Sequence, residues 1–331
     1  MKKLVVVSVA HFCADLCCAA LFYGRLGNET NWWLCMVLYN ACAFGMQLPL
    51  GFIADRMDRN LPFAAAGCAL VALGFLPMPS PALAAICSGL GNGMFHVGAG
   101  IEVLNSSDKA APLGVFVSPG AVGLYIGTVC APFLIRYGWP LPVGMLLVGL
   151  GLLCLNKLDH PSQNAPLSLS MDRSVFLPLL CLFLVVVLRS VLSGEAFSTG
   201  QVNIPGVVPV LLLASGKAAG GFLGDRIGLR KTAVLSLGAT ALLMLMPRGY
   251  GTLLALFLFN MTMPLTLYEA ACLLPGAKGA AFGLLTCALF VGVLPRFSGM
   301  TLSLPSSLWA ILVMLSLGLL WIGLRKEKSH E

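Results

Sequence analysis

Charged residues are scarce in this sequence. Only 10% of its 331 residues are Asp, Glu, Lys or Arg, whereas a soluble domain usually carries about 25%. A chain that is 58% hydrophobic and so poorly charged cannot cover its surface with groups that bind water. The composition therefore excludes an ordinary soluble protein.

Signals of several other protein classes are also missing. There is no G-x-x-x-x-G-K-S/T loop for ATP, no catalytic constellation, and no basic patch, because the net charge of +7 is spread over short loops. Nearly all of the 12 cysteines lie in apolar runs, where free cysteine behaves as a small hydrophobic residue, so we predict no disulfides. An enzyme, a cofactor, a bound metal and a nucleic-acid partner are therefore not expected.

The sequence does contain a series of apolar runs, many of them close to the roughly 20 residues that cross a bilayer. We predict an all-α membrane protein with twelve spanning helices. Their ranges are 4–23, 32–54, 61–78, 82–104, 112–134, 139–156, 174–194, 204–223, 232–247, 250–273, 278–295 and 304–324. The first run follows Lys2 and Lys3 as a signal peptide would, but no small-residue cleavage site follows it, so we expect a retained span.

Basic residues set the predicted orientation of the helices. With the N-terminus inside, the outer loops contain only Arg25, Arg136, Arg248 and Arg296 of the 20 basic residues. Two more lie inside helices, which leaves 14 on the inner side. We therefore expect an even number of spans, both termini in the cytoplasm, and a location in the inner membrane of a bacterium.

A phrase from the first half of the chain returns 170 residues later. The two copies are Gly51-Phe-Ile-Ala-Asp55-Arg56-Met-Asp-Arg59 and Gly221-Phe-Leu-Gly-Asp225-Arg226-Ile-Gly-Leu-Arg230-Lys231. Each copy follows the second predicted helix of its half. We therefore predict two six-helix halves, 1–156 and 174–325, with a cytoplasmic linker at 157–173 and a tail at 326–331.

Both copies resemble motif A of the major facilitator superfamily, G-x-x-x-D-R/K-x-G-R/K-R/K, and they lie in the loop where that family has it. The second copy departs from the motif at Leu229, and the first has Asp58 and Asn60 in place of a glycine and a basic residue. The resemblance implies a major facilitator fold, with two pseudo-symmetric halves that rock around a central site.

In physical terms, motif A is expected to act as a latch of the inner gate. Glycines at 51 and 221 would let two helices approach closely, while Asp55 and Asp225 would face a basic residue or a helix N-terminus. The basic residues of the motif would pair with acids in one conformation only. These residues are Arg56, Arg59, Arg226 and Arg230. The alternative is that these charges only fix the topology.

Two further acids belong to the same predicted gate. Glu102 and Glu269 lie at nearly equivalent positions near the inner ends of helices 4 and 10. Their depth is close to that of the basic residues of motif A. We predict that they are gate residues, with proton coupling as the alternative.

Helix 5 contains three glycines, Gly114, Gly123 and Gly127, in the spacing G-x8-G-x3-G. This spacing resembles the antiporter-type motif C, although Thr128 stands where that motif has proline. The resemblance favours export by antiport. The alternative is that these glycines only permit tight helix crossing.

Ionisable residues inside a membrane mark candidate sites, because each costs about 2.5–3.5 kcal/mol on insertion scales. The candidate cavity residues are His11 and Asp15 on helix 1, His96 on helix 4, Arg189 on helix 7, Lys217 on helix 8 and Asn260 on helix 10. The resemblance implies that helices 1, 4, 7 and 10 line a central cavity. These polar residues therefore fall where a cavity is expected.

Asp15 is the predicted proton carrier, because a carboxyl group in a low-dielectric cavity can load and release a proton near neutral pH. His11 shares its helix face, four residues away, and both His11 and His96 titrate in the same range. A static pair that only joins helices is the alternative for Asp15. Arg189 would attract an anionic substrate group or neutralise Asp15, and Lys217 would contact substrate or extend to the interface.

Two phrases resemble the fosmidomycin-resistance (drug efflux) branch of the superfamily. They are His11-Phe12-Cys-Ala-Asp15 and Gly91-Asn-Gly93-Met-Phe95-His96. Val97 replaces the proline of that branch, and glycine and alanine replace its next polar residues, so its efflux substrates do not transfer. The resemblance implies that His11, Asp15 and His96 face one polar cavity.

The predicted function is therefore a proton-coupled secondary active transporter that exports a small polar or amphipathic molecule by antiport. We expect a monomer whose partners are protons, the substrate and the lipid bilayer. Proton-driven uptake of a small metabolite is the alternative. A transition-metal transporter with His11, Cys13 and Cys17 as ligands is less favoured, because His11 and Cys13 point in different directions on a helix.

Overall fold

The computed structural model describes residues 2–158, 172–197 and 204–325, and most of these residues are helical. The helices in this part of the chain are α1 (Lys2–Gly24), α2 (Trp32–Asn40), α3 (Gln47–Met57), α4 (Asn60–Leu73), α5 (Pro81–Ser106), α6 (Ala111–Val129), α7 (Ala131–Arg136), α8 (Pro140–Leu158), α9 (Arg173–Glu195), α10 (Val207–Ile227), α11 (Leu229–Met244), α12 (Tyr250–Asn260), α13 (Thr262–Leu273), α14 (Lys278–Phe297) and α15 (Ser306–Gly323). Each of the twelve predicted ranges overlaps at least one of these helices.

Three of the predicted helices are interrupted. A π-helical segment at Ala41–Gly45 separates α2 from α3, Cys130 separates α6 from α7, and Met261 separates α12 from α13. Pro132 explains the second break, because it has no backbone N–H and cannot continue the hydrogen bonds of α6. The other two breaks lie inside runs that are mostly apolar, although Asn260 and Thr262 flank the third, so hydrophobic pattern alone did not predict them.

Ten helical segments of the described chain are long and apolar enough to cross a membrane. The two predicted spans that fall short are α4 with 14 residues and α11 with 16 residues, fewer than the roughly 20 that cross a bilayer at right angles. The chain is thus a multi-pass membrane protein. The count of twelve spans and the orientation of the termini stay predictions.

The helices pack in two sets that repeat the same pattern. In the first set α1 contacts α6 and α8, and α4 contacts α5 and α8; in the second set α9 contacts α14 and α15, and α11 contacts α12 and α15. The two sets meet mainly along two helix pairs, α3 with α14 and α6 with α10. Large apolar side chains of α8 and α15 are exposed, as expected for helices that face lipid.

In both copies of the repeated phrase the residue after the helix has a positive φ, but the two turns differ. Asp58 follows α3 with φ 47° and ψ 39°, and Gly228, at the equivalent position after α10, has φ 97° and ψ 151°. Aspartate is one of the few residues other than glycine that tolerate the left-handed region of Asp58, whereas the conformation of Gly228 is essentially confined to glycine. The first copy therefore replaces the glycine of the motif by making a different turn.

The predicted linker between the halves lies mostly outside the described residues, as does the predicted tail 326–331. Its two ends are helical, since Lys157 belongs to α8 and Arg173 to α9. The Asp172 carboxylate caps α9 by accepting hydrogen bonds from the backbone N–H groups of Ser174 and Val175 at 3.0 and 3.1 Å. This cap fixes the first residue of the second set of helices.

Close backbone contact holds the α3–α14 pair together. A methyl group on Gly283 would overlap the backbone carbonyl of Gln47, and one on Gly51 would overlap the backbone at Gly279. Both positions therefore need a residue without Cβ. These contacts set the distance between the two halves along this helix pair.

We predict that Gly283→Ala destabilises the protein, because the new methyl group pushes α14 away from the Gln47 carbonyl. Overpacking of this kind usually costs about 1–3 kcal/mol. The measurement is the thermal midpoint of unfolding of the purified protein in detergent. Gly318→Ala on α15 is the matched control, because its Cβ meets no atom within 4 Å; an equal midpoint in the two variants would contradict the packing.

Candidate functional site

A cavity of about 470 Å³ lies between the two sets of helices. Residues of α1, α3, α5, α6, α9, α10, α13 and α14 line it. On α6 the lining begins at Val117, well after the helix start, and on α10 it ends at Lys217, well before the helix end. The cavity therefore lies towards the end of the molecule opposite to the repeated phrases.

Most of the predicted cavity residues face this space. The lining includes His11, Asp15, His96, Arg189 and Lys217. The remaining candidate, at position 260, is not among the lining residues: its buried side-chain amide donates to the carbonyl of Leu256 at 2.8 Å, one turn earlier. The structure thus brings five candidates to one cavity and leaves Asn260 outside it.

His11, Asp15 and His96 form a compact group, which we call the histidine cluster. The two imidazole Nε2 atoms are 2.9 Å apart. The carboxylate of Asp15 lies 3.2 Å from Nε2 of His11 and 3.6 Å from Nε2 of His96. Helix α1 supplies the first two residues at a spacing of one turn, and α5 supplies the third.

Hydrogen bonds on the far sides of the rings determine which nitrogens carry protons. Nδ1 of His11 lies 2.7 Å from the carbonyl of Phe116, and Nδ1 of His96 lies 2.9 Å from the carbonyl of Asn92. A carbonyl only accepts, so both Nδ1 atoms must donate. Two neutral rings would then direct two lone pairs at each other across 2.9 Å, and one extra proton between the Nε2 atoms turns this repulsion into a hydrogen bond.

The extra proton gives the ring pair one positive charge, and Asp15 is the neighbouring negative charge. The carboxylate also accepts a hydrogen bond from the side-chain amide of Asn92 at 3.3 Å. Gly120 on α6 closes the group from another side, because a methyl group there would overlap both His11 and Asp15. Sequence reasoning missed Asn92 and Gly120, although Asn92 lies one helical turn before His96.

Arg189 and Lys217, which we call the cation pair, line the other wall of the cavity. Among the described residues no carboxylate lies within 4 Å of either cation, so the histidines, rather than Arg189, accompany Asp15. Lys217 donates from Nζ to the carbonyl of Val117 at 3.3 Å across the α6–α10 contact. Its side chain therefore stays at the cavity wall.

The two motif A aspartates cap helices of the opposite half. Asp55 accepts hydrogen bonds from the backbone N–H groups of Gly279 and Ala280, at 2.8 and 2.9 Å, at the start of α14. The equivalent residue 170 positions later caps the start of α6. Of the two predicted partners, a basic residue or a helix N-terminus, the structure shows the helix N-terminus.

The second cap has almost the same geometry as the first. Asp225 accepts hydrogen bonds from the backbone N–H groups of Ala110 and Ala111 at 2.8 and 2.9 Å. A carboxylate at a helix start satisfies unpaired N–H groups and interacts favourably with the helix dipole. Each half therefore binds a helix end of the other half, at the end of the molecule that lies away from the cavity.

Two side chains that sequence reasoning did not single out for the gate also bridge the halves at this end. The Tyr268 hydroxyl donates to the carbonyl of Asp108 at 2.7 Å. Lys278 donates to the carbonyl of Leu104 at 3.2 Å and to the side-chain oxygen of Asn105 at 2.9 Å. Lys278 is the first residue of α14, next to the two N–H groups that Asp55 caps.

The basic residues of motif A do not bridge the halves in the contacts of the described structure. The side chains of Arg56, Arg59 and Arg226 are exposed. Arg230 donates to the carbonyl of Leu324 within its own half and lies 4.9 Å from the ring centre of Trp321. A role for these residues in the gate stays a prediction.

Glu102 and Glu269 also form contacts within their own halves. Glu102 pairs with Lys3 at 2.6 Å, and Glu269 pairs with Arg325 at 2.7 Å. Burial lowers the pKa of Arg325, whereas the charge of the Glu269 carboxylate and the hydrogen bond to it raise that pKa, and the net shift is upward. These equivalent pairs join helix ends inside each half, at the same end of the molecule as the two caps.

The three helix 5 glycines contact two different helices. A methyl group on Gly114 would come within 2.7 Å of the carbonyl of Lys217, on α10 of the other half. Methyl groups on Gly123 and Gly127 would overlap the backbone of α1. The spacing therefore serves close helix contact, both within the first half and between the halves.

We predict that both rings of the histidine cluster keep a proton on Nδ1 between about pH 5 and 8, because each Nδ1 donates to a carbonyl. The measurement is ¹⁵N NMR of protein labelled at its four histidines, with His160→Gln and His330→Gln removing the other two signals. In His96→Gln the signal of Nε2 in His11 should change, while that of Nδ1 should not. A ring with Nε2–H and an unprotonated Nδ1 would contradict the geometry.

Comparison with known proteins finds similar structures but no similar sequence. No family model matches the chain, and no curated protein matches it in sequence. The structure is similar to that of the major facilitator transporter FucP in the outward conformation, with a TM-score of 0.69 at 12% identity over 97% of both chains. The branch linked to fosmidomycin resistance is not confirmed by these likenesses.

Two other solved structures give the same result. The human organic anion transporter MFSD10 has a TM-score of 0.71 at 16% identity, over 96% of this chain and 99% of its own. The proton:xylose symporter XylE has a TM-score of 0.64 at 11% identity, over 97% of this chain and 95% of its own. Identities this low show the fold alone, so the chain has the fold of these major facilitator transporters.

Proposed function

We propose that this protein is a proton-coupled secondary active transporter of a bacterial inner membrane, which moves a small polar or amphipathic molecule by alternating access. The observation that carries the proposal is the histidine cluster, because it holds one removable proton at the wall of a cavity between the halves. The cavity is built from one chain, which supports a monomer. The proposed activity is transport by motion of the two halves, and not catalysis of a chemical reaction.

Proton loss would change how the helices around the cluster pack. Without the shared proton, two nitrogen lone pairs and the Asp15 carboxylate face one another in an apolar surrounding. This repulsion acts between α1 and α5, and Gly120 leaves no space on the α6 side for the side chains to move apart. Protonation is therefore linked to the arrangement of three helices that line the cavity.

The two aspartate caps supply the other part of the proposed cycle. They close the end of the molecule away from the cavity, so the cavity has access from the opposite end in this conformation. Hydrogen bonds to a charged group contribute about 1.5–3 kcal/mol each. Binding a proton and a substrate can supply energies of this size, so the caps are suited to form and break during transport.

Two modes of coupling remain, and they differ in whether proton and substrate compete. Export by antiport, the predicted mode, requires competition and is supported by the resemblance of the helix 5 glycines to an antiporter motif. Proton-driven uptake requires that both are bound together. The observation that favours uptake is the charge of the cavity, where the cation pair outnumbers the one carboxylate of Asp15.

A transition metal is the other occupant that the donor atoms of the histidine cluster suggest. One ligand atom from each of its three residues lies within 4.8 Å of the others, whereas Cys17, a ligand in the sequence-based alternative, faces the carbonyl of Leu141 at 3.8 Å. Two nitrogens on a tetrahedral zinc ion are about 3.3 Å apart, from Zn–N distances of about 2.0–2.1 Å. The observed 2.9 Å is shorter and fits a shared proton better.

We predict that the caps control the conformational equilibrium. Asp55→Asn should expose the start of α14 and Asp225→Asn the start of α6, because each aspartate accepts through both carboxylate oxygens and asparagine offers only one. Hydrogen exchange of segments 277–284 and 108–114, read by mass spectrometry, should become about tenfold faster for a loss of roughly 1.4 kcal/mol. Asp172→Asn is the matched control, since Asp172 accepts both N–H groups through Oδ1 alone, which the amide oxygen of asparagine can replace; unchanged exchange in both cap variants would contradict the latch.

We predict that Asp15→Asn abolishes coupling to protons, because an amide cannot balance the charge of the proton shared by the two imidazoles. The measurement is uptake into proteoliposomes, driven by an imposed pH gradient, of a compound that raises the thermal midpoint of the protein. Binding of that compound should persist in part. Concentrative uptake by Asp15→Asn equal to that of wild type and of Asp172→Asn would show that Asp15 does not couple transport.

A further inference from the structure

Arg189 is a buried cation with unused hydrogen-bond donors at the wall of the cavity. Its side chain is 5% exposed, and Nη2 donates to the hydroxyl of Thr262 and weakly to the carbonyl of Phe259 at 3.5 Å. Its guanidinium carbon lies 5.0 Å from the ring centre of Phe259. Among the described residues, Nε and Nη1 have no hydrogen-bond partner.

A buried arginine with two unpartnered nitrogens lacks hydrogen-bond acceptors that a ligand can supply. Leaving buried donors of a charged group without acceptors is costly. The two unpartnered nitrogens, Nε and Nη1, direct their N–H groups to different edges of the guanidinium plane, and each can donate a charge-assisted hydrogen bond to an oxygen of a carboxylate, sulfonate or phosphate group. The chemistry that completes Arg189 is therefore an anion.

Lys217 adds a second positive charge to the same space. It is within electrostatic range of Arg189 and of Asp15, and its one hydrogen bond goes to a backbone carbonyl. The rest of the lining near the cation pair is mainly apolar, and it includes Val186, Leu213, Leu285 and Leu289. A cavity of about 470 Å³ with this lining suits a small organic ligand that has one anionic end and an apolar body.

We propose that the cation pair binds the anionic group of an amphipathic organic substrate, and that this anion crosses the membrane together with the proton of the histidine cluster. The proposal rests on the proposed transport function and names its substrate class and its mode of coupling. A proton on the cluster adds positive charge to a cavity that already has an excess of it. The proton and the anion therefore stabilise each other's binding, whereas antiport requires that they compete.

In the part of the chain that the structure describes, no other charged group near the cluster reverses this sign. The titratable groups that approach it from the packed helices are Cys18 on α1, Tyr39 on α2 and Tyr125 on α6. Thiol and phenol groups are neutral over the range from about pH 5.5 to 8. Lys217 is also within electrostatic range of His96, so the anion that neutralises the cation pair removes a charge that opposes protonation of the cluster.

Binding of benzoate and benzenesulfonate to the purified full-length protein tests the first part, with benzamide and benzylamine as neutral and cationic analogues of the same size. The two anions should bind more tightly than both analogues, and Arg189→Gln and Lys217→Gln should each weaken this binding at least about tenfold. Arg189→Lys should restore part of it. Arg136→Gln is the control for loss of a positive charge, since this exposed arginine lies outside the cavity. Equal or tighter binding of the analogues would overturn the proposal.

The pH dependence of benzenesulfonate binding tests the second part, because this probe stays ionised and any dependence belongs to the protein. Affinity should be higher at pH 5.5 than at pH 8 by about 5- to 150-fold, the usual range for coupled sites. The double variant His11→Gln/His96→Gln should lose the dependence. Weaker or unchanged binding at the lower pH would overturn cotransport.

Measuring the movement of protons tests the same coupling independently. In proteoliposomes with a pH dye inside, entry of external benzenesulfonate should acidify the interior, because the proton enters with the anion. Entry with alkalinisation, or without any pH change, would overturn the proposal; if the probe binds without entering, the pH dependence of binding decides. Loss of coupling in Asp15→Asn without any preference for anions would leave proton-coupled transport intact and refute this inference alone.

Discussion

Two imidazole nitrogens that face each other at 2.9 Å repel unless a proton lies between them. This constraint governs the histidine cluster, because the outer nitrogens of both rings are already committed to backbone carbonyls. The shared proton brings a charge into an apolar setting, and the carboxylate of Asp15 balances it. The geometry thus favours one proton in the cluster over none, and in the proposed function a proton gradient acts through this proton on the helices that carry the cluster.

The gate and the cavity use charge in different ways. Asp55 and Asp225 form equivalent caps on helix starts of the opposite half, at nearly identical distances. The cavity has no such symmetry, since the histidine cluster belongs to the first half and the cation pair to the second. The repeated aspartates therefore hold the two halves together. The residues that differ between the halves form the site, with the histidine cluster on one wall and the cation pair on the other.

Much of this arrangement was visible in the sequence, because it depends on local spacing. The repeat at 170 residues predicted two equivalent halves, and Asp55 and Asp225 cap helix starts at equivalent positions. The spacing of one turn between His11 and Asp15 predicted a shared helix face. Intramembrane charges predicted most of the cavity, since a bilayer tolerates such residues only where they have partners or a polar space.

Other features depend on contacts between distant segments, which one sequence does not reveal. Nothing in the spacing showed that Asp55 faces helix N–H groups rather than an arginine, or that Arg189 has no carboxylate partner among the residues that the structure describes. Asn260 looked equivalent to the other polar residues, but it satisfies its amide within its own helix. The shared proton follows only from the carbonyls of Phe116 and Asn92, which are backbone groups and leave no mark on the residue pattern.

A difference titration measures the central claim most directly. Wild-type protein and the His11→Gln/His96→Gln variant, both without ligand, are titrated between about pH 5 and 9, and the protons that each releases are counted. A single proton shared between two rings predicts that wild type releases about one proton more than the variant, because a second proton has no place between nitrogens 2.9 Å apart. A difference of two protons, or of none, would contradict the shared-proton cluster on which the coupling depends.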